Sequence, residues 1–210
     1  MKEQLQKDFN NIIKNLSLSN KDIEIKKFYL DNFINRGFPN RKEEDWKFSD
    51  LNQIIKRNIG ELSFYSDYTT TNKVDTSVFV DGLEHNKIVF INGRIEKIDL
   101  DYEKKDQIEI IDESETINKF NNFSSLSDLN NAFTNKSFKI AIKEGYQLTK
   151  PLIVYHTTNS NIWSKNINLR LNFELYKNSS LRLIDLFRDN SEKNFLNIFY
   201  NFDLKEGSVL

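Results

Sequence analysis

Few side chains in this 210-residue sequence are of the kinds that do chemistry. It has no cysteine and only two histidines, His85 and His156. That excludes disulfides, a thiol nucleophile, zinc ribbons and any cysteine-ligated iron–sulfur cluster held by this chain alone. A site built on several imidazoles is excluded too. His156 has no second soft ligand near it in sequence and reads as a satisfied histidine at a strand end. His85, beside Asn86, reads as a surface residue in a turn. Asp99 and Asp101 are two apart, so on a strand they share a face, as a carboxylate pair for acid–base work would require; the reading taken is a solvated loop after a hairpin. Lys143-Glu144-Gly145 and Lys205-Glu206-Gly207 lack the flanking glycines and Lys-Ser/Thr of a phosphate-binding loop, so they are corner turns and no nucleotide site is expected. Trp46, preceded by the charged run Arg41 to Asp45, is either the centre of a partner-docking patch or a tryptophan packed under neighbouring helices with solvated charges around it. The packed reading is taken. No catalytic, cofactor-binding or metal-ligating residue is assigned, and the chain is not expected to be an enzyme.

Composition narrows the partners. Thirty Lys and Arg against 31 Asp and Glu give a formal charge of -1, without the cationic surplus that phosphate neutralisation or an anionic membrane surface demands. Neither nucleic acid nor membrane is an expected partner. The first 18 residues mix Lys2, Glu3, Lys7 and Asp8 with apolar positions and have no signal-peptide core. No apolar run approaches the roughly 18 residues of a bilayer span. With 13% aromatics, the expectation is a folded, soluble, cytoplasmic protein.

The elements that would position these residues fall into three regions. Residues 1–62 form a helical N-terminal region. Leu5, Phe9, Ile12, Ile13 and Leu16 make one apolar stripe, and Ile25, Phe28, Tyr29 and Phe33 a second. Ser19 or Asn20 caps the second helix, Gly37 stops it in the αL position, and Pro39 prevents continuation. Ser49 caps a turn or short helix through Ile54 and Ile55. Residues 63–136 are a mixed linker: a loop over 63–73, strand signals at Val78-Phe79-Val80, a β-hairpin near 87–98 and a short helix near 125–133. Asn92-Gly93 between two β-rich runs predicts a type I′ turn.

Residues 137–210 differ in kind. The segments Ile140 to Leu148, Phe173 to Leu181 and Phe202 to Leu210 each read as an alternating strand, then a residue suited to positive φ, namely Gly145, Asn178 and Gly207, then a second strand that opens with a leucine. Recurrence of a strand–turn–strand unit every 30 or so residues predicts a β-solenoid; three unrelated hairpins are the alternative. The expected fold class is mainly β with an N-terminal α-helical region, the sequence stopping inside an incomplete solenoid just after a corner.

The segment Arg36-Gly37-Phe38-Pro39-Asn40-Arg41-Lys42-Glu43-Glu44-Asp45-Trp46-Lys47-Phe48-Ser49-Asp50-Leu51 resembles the N-terminal signature of the SufD branch of the SufB/SufD family, scaffold subunits of SUF iron–sulfur cluster assembly. Phe38 and Phe48 depart mildly from the leucine and tyrosine usual there. Val89-Phe90-Ile91-Asn92-Gly93-Arg94 is similar to that family's hairpin, and Leu126 to Phe133 followed by Ile140 to His156 to its entry into a β-helix. The signature positions are Gly37, Pro39, Arg41, Glu44, Asp45, Trp46, Lys47, Leu51, Asn92 and Gly93, read as structural. The resemblance covers the N-terminal portion of such a protein. It implies a right-handed parallel β-helix, a SufB-like paralogue paired through it, and a SufC-like ABC ATPase bound through a C-terminal region absent here. It also implies a non-catalytic scaffold that holds no cofactor by itself, with an iron–sulfur cluster passing transiently through the assembled complex. Two other classes stay open from the residues alone. One is a generic β-solenoid interaction module. The other is a β-helix enzyme acting on polysaccharide, for which the repeats offer only Glu174 and Arg182 without a repeating partner.

Overall fold

A computed structural model describes residues 2–61, 63–64, 73–114, 124–159, 162, 164–189 and 193–210. Within them are four α-helices and nine strands in two mixed sheets. The helices are α1 (Lys2–Lys14), α2 (Asn20–Arg36), α3 (Leu51–Asn58) and α4 (Ser125–Phe133). The strands are β1 (Ser63–Phe64), β2 (Asn86–Ile91), β3 (Arg94–Asp99), β4 (Ile108–Asp112), β5 (Lys136–Ile142), β6 (Leu152–Thr158), β7 (Lys165–Leu175), β8 (Leu183–Asp189) and β9 (Asn194–Leu204).

From β5 onward the chain alternates between the sheets. β5, β7 and β9 pair parallel in one sheet, Ile140 opposite Phe173 and Phe173 opposite Phe202. β2, β6 and β8 pair parallel in the other, Phe90 opposite His156 and His156 opposite Phe187. Antiparallel β4 and β3 extend the first and second sheets beyond β5 and β2. β1 pairs with the first two residues of β7.

The corners explain the alternation. Gly145, Asn178 and Gly207 have φ of 73°, 56° and 70°, values that glycine takes without steric cost and asparagine tolerates. The three corners stack: Gly145 N–H donates to Lys177 O (2.9 Å) and Asn178 N–H to Glu206 O (3.1 Å). Parallel bridges join Gln147, Ser180 and Val209. Between the sheets, Ile88, Phe90, Ile140, Ile142, Val154, Leu171, Phe173 and Leu175 form a buried core. β6 is buried throughout, because Val74, Val78, Phe79 and Val80 cover its Ile153 and Tyr155, with Val89 and Ile91 of β2, on the other face of the sheet.

The hairpin has the expected turn, Asn92 at φ 52° and Gly93 at φ 80°, plus a register shift between Val89 and Phe90. Ser19 caps α2, its hydroxyl oxygen accepting from Asp22 N–H. Other expectations are corrected. Val78-Phe79-Val80 is no strand: Asp75 caps a 3₁₀ turn over Thr76–Val78, and the segment lies on the sheet as a cover. Asp50, not Ser49, caps α3, its carboxylate accepting from Gln53 N–H at 3.0 Å. Gly37 has positive φ but ψ of -170°, outside αL. Ser63 and Phe64 of the expected loop form β1; residues 65–72 of it lie outside the described residues. The buried stripe of α2 is Lys26, Tyr29, Leu30 and Phe33, with Phe28 turned to solvent. The helices complete a second cluster with α4, Phe64 and Phe195.

Candidate functional site

The signature segment folds as a closed loop. α2 ends where Gly37 N–H donates to Phe33 O at 2.7 Å. Phe38, Pro39 and Leu51 are buried, and Leu51 N–H donates to Pro39 O at 3.2 Å, tying the two ends together. Inside, Asn40 Oδ1 accepts from Lys42 N–H and Glu43 Oε1 from Asn40 N–H. A 3₁₀ turn, Glu44–Trp46, then brings Ser49 N–H to Trp46 O at 2.8 Å. Trp46 is half-buried against the helical cluster. Arg41, Glu44, Asp45 and Lys47 point to water, and Glu44 pairs with Lys47. Phe48 is 86% exposed at the loop's crest, with Lys47 Nζ 5.2 Å from its ring centroid. The loop therefore presents one bare aromatic among balanced charges on a rigid base. A cleft of about 460 Å³ lined by Leu5, Phe38, Asn52, Ile55, Lys56 and Phe64 opens between α1, α3 and β1.

Behind this surface lies a buried polar network. Lys26 is 1% exposed, and its Nζ donates to Asn131 O (3.2 Å), Ala132 O (3.4 Å) and Thr134 O (2.6 Å). It thereby neutralises carbonyls that the C-terminus of α4 leaves without intrahelical partners. Burial, with the Arg170 guanidinium behind it, pulls the ammonium down to about 7, against Asp22. Arg170 reaches the amide oxygens of Asn130 and Asn131 and lies 5.2 Å from the Phe199 ring centroid; burial lowers it to about 10. Asn130 Nδ2 donates to Leu169 O and Asn197 O, and the buried Asp128 pairs with Arg36 at 3.0 Å. These bonds fasten the helices to β7 and β9.

The histidines differ from expectation. His85 is buried, not a surface residue. Its Nδ1 lies 2.6 Å from Leu83 O and its Nε2 2.8 Å from Tyr155 Oη, which also accepts from Val80 N–H at 3.0 Å. That chain is satisfied when His85 carries its proton on Nδ1 and accepts from the tyrosine. His156, buried near the end of β6, is satisfied as expected, though by partners that sequence spacing conceals. Its Nε2 lies 2.9 Å from Tyr200 Oη on β9 and 3.0 Å from Asp185 Oδ1 on β8. Tyr200 O–H donates to Asp185 at 2.7 Å. Burial first, then Asp185, raises the phenol far above its ordinary range.

The remaining candidates are structural. Asp99 pairs with Lys87 and Lys97, Asp101 with Lys105, so the two carboxylates do not converge. Glu103, which sequence reasoning passed over, accepts from Asn86 Nδ2 (2.8 Å), Tyr146 O–H (2.7 Å), Thr149 N–H and Lys150 N–H (each 3.0 Å). Burial pushes its carboxyl up, and these bonds outweigh that and hold it below the usual range. Glu174 does have a repeating partner, Asp203, in register on β9; Lys139 lies 3.8 Å from both Glu174 and Glu113. Arg182 donates to Thr149 O at 2.9 Å, away from that ladder. Among the described residues no group of three or more His, Cys, Asp or Glu side chains is placed to hold a metal. No helix among them is long and apolar enough to cross a membrane. No family model matches the chain, and no curated protein matches it.

Proposed function

We propose that this chain is a SufD-like, non-catalytic scaffold subunit of iron–sulfur cluster assembly, and that its alternating strands are coils of a right-handed parallel β-helix. It pairs through that β-helix with a SufB-like paralogue and works with a SufC-like ATPase in the cytoplasm. The cluster is the cargo of the assembled complex, since a chain without cysteine supplies no thiolate for it. The observation that carries the reading is the parallel stacking of β5, β7 and β9 against β2, β6 and β8. That stack follows a helical region whose closed loop displays the signature residues. Stacked coils leave long regular surfaces for another protein, and a loop with a tied base and an exposed Phe48 suits docking. Depleting the chain in its own host tests this: [4Fe–4S] enzymes lose activity and regain it on re-expression. Unchanged cluster enzymes under depletion contradict the reading and leave the generic interaction module.

A further inference from the structure

We propose that His156, Asp185 and Tyr200 form a three-ligand facial site for a divalent first-row transition cation. The triangle formed by Nε2, Oδ1 and Oη has sides of 3.0, 2.9 and 2.7 Å. Three ligands on one face of an octahedron lie about 1.4 bond lengths apart, so about 2.8–3.0 Å for bonds of about 2.0–2.1 Å. The donor atoms thus stand at the spacing that octahedral coordination requires without moving the strands. Imidazole, carboxylate and phenol oxygen make a nitrogen–oxygen set suited to Zn, Fe, Co or Mn rather than to a soft cation.

The scaffold fixes each donor. Phe90 and Phe187, the register neighbours of His156, stack on either side of its ring at 5.2 and 5.0 Å between centroids. Asp185 sits opposite Val154 on the neighbouring strand, and Tyr200, on β9 of the facing sheet, stacks on Phe173 of β7 beside it. Rigid strands with packed rotamers are what a pre-organised ligand set needs. The Asp185 side chain is 29% exposed where His156 is 2%, so a cation enters, and water ligands reach it, from the Asp185 side. In the cation-free triad Tyr200 O–H donates to Asp185, and Nε2 carries the proton that faces the two oxygens; a cation displaces both, the imidazole keeping its one proton on Nδ1.

The test titrates cobalt(II) chloride into tag-free, chelator-washed chain. The expected result is one cobalt per chain, weak octahedral ligand-field bands and a raised melting temperature. Because the chain has only two histidines, ring NMR signals give a readout that needs no variant: those of His156 shift or broaden while those of His85 stay. Asp185→Asn and Tyr200→Phe each weaken binding at least about tenfold, with circular dichroism reporting whether each has folded. No cobalt bound at millimolar concentration, equal perturbation of both histidines, or undiminished binding in the folded variants overturns the proposal and leaves a hydrogen-bonded latch.

Discussion

Lys26 Nζ lies 2.6 Å from the carbonyl oxygen of Thr134, so a side chain of α2 closes the C-terminal end of α4, 108 residues further along the chain. The contact joins the N-terminal helices to the element that fastens them onto the sheet, and it carries a pH dependence. Lys26 is held at about 7 in the fold, while its unfolded value is that of an ordinary lysine, about 10.4. Between these limits the unfolded chain binds more protons, so Lys26 contributes stability that grows as pH rises through the window. Lys26→Met removes that slope and strips a donor from the Asn131, Ala132 and Thr134 carbonyls. Urea midpoints at pH 6 and pH 9 check it: the wild-type midpoint rises relative to the variant's at the higher pH, and a difference that stays constant contradicts the account.

Tyr155→Phe leaves His85 Nε2 and Val80 N–H without their shared partner. Each unpaired buried group costs about 1–3 kcal/mol. Chemical denaturation reports a loss of that size, and faster hydrogen exchange of the Val80 amide localises it. A change below about 0.5 kcal/mol contradicts this account, being the range of ordinary surface substitutions.

Gly207→Ala and Gly145→Ala both force a Cβ into positive φ, a strain of about 1–2 kcal/mol. At Gly207 that Cβ also meets the Asn178 side chain, whereas at Gly145 nothing lies within 4 Å. Gly207→Ala is therefore the more disruptive locally, and Asn178→Gly near neutral. Amide exchange of Asn178 and Leu181, whose N–H groups bond to the 206 and 209 carbonyls, reads the difference.

Glu103 contributes stability at neutral pH that is lost on the acid side. Its folded value lies below the ordinary carboxylate range, so the contribution is present above about pH 4.3 and disappears as pH falls through the lowered folded value. Glu103→Gln lowers the melting temperature at pH 7 and narrows its difference from wild type near pH 3.

What the sequence made legible was local. Asn92-Gly93, Gly145, Asn178 and Gly207 announce their backbone geometry by residue type, and Leu5, Phe9 and Ile12 by helical period. The misreadings arose where a neighbouring element overrides the local signal. Val78 to Val80 look like a strand because they are apolar, and they are apolar because they cover β6. The expected α2 stripe includes Phe28 where the structure buries Lys26, and it is the carbonyls at the end of α4 that make a buried lysine acceptable there. The partners that satisfy His156 are not legible in the sequence because Tyr200 is 44 residues away; parallel stacking of successive strands is what brings it near. β4 has no strong turn signal at either end and pairs only at the sheet edge.

The scaffold assignment is tested most directly by tagging this chain in its own host, purifying it under gentle conditions and identifying the associated proteins by mass spectrometry with quantified stoichiometry. The account predicts a SufB-like paralogue among them, with a SufC-like ATPase carried along through that paralogue. Recovery of the chain without either protein, at a tag dose that preserves growth, contradicts it.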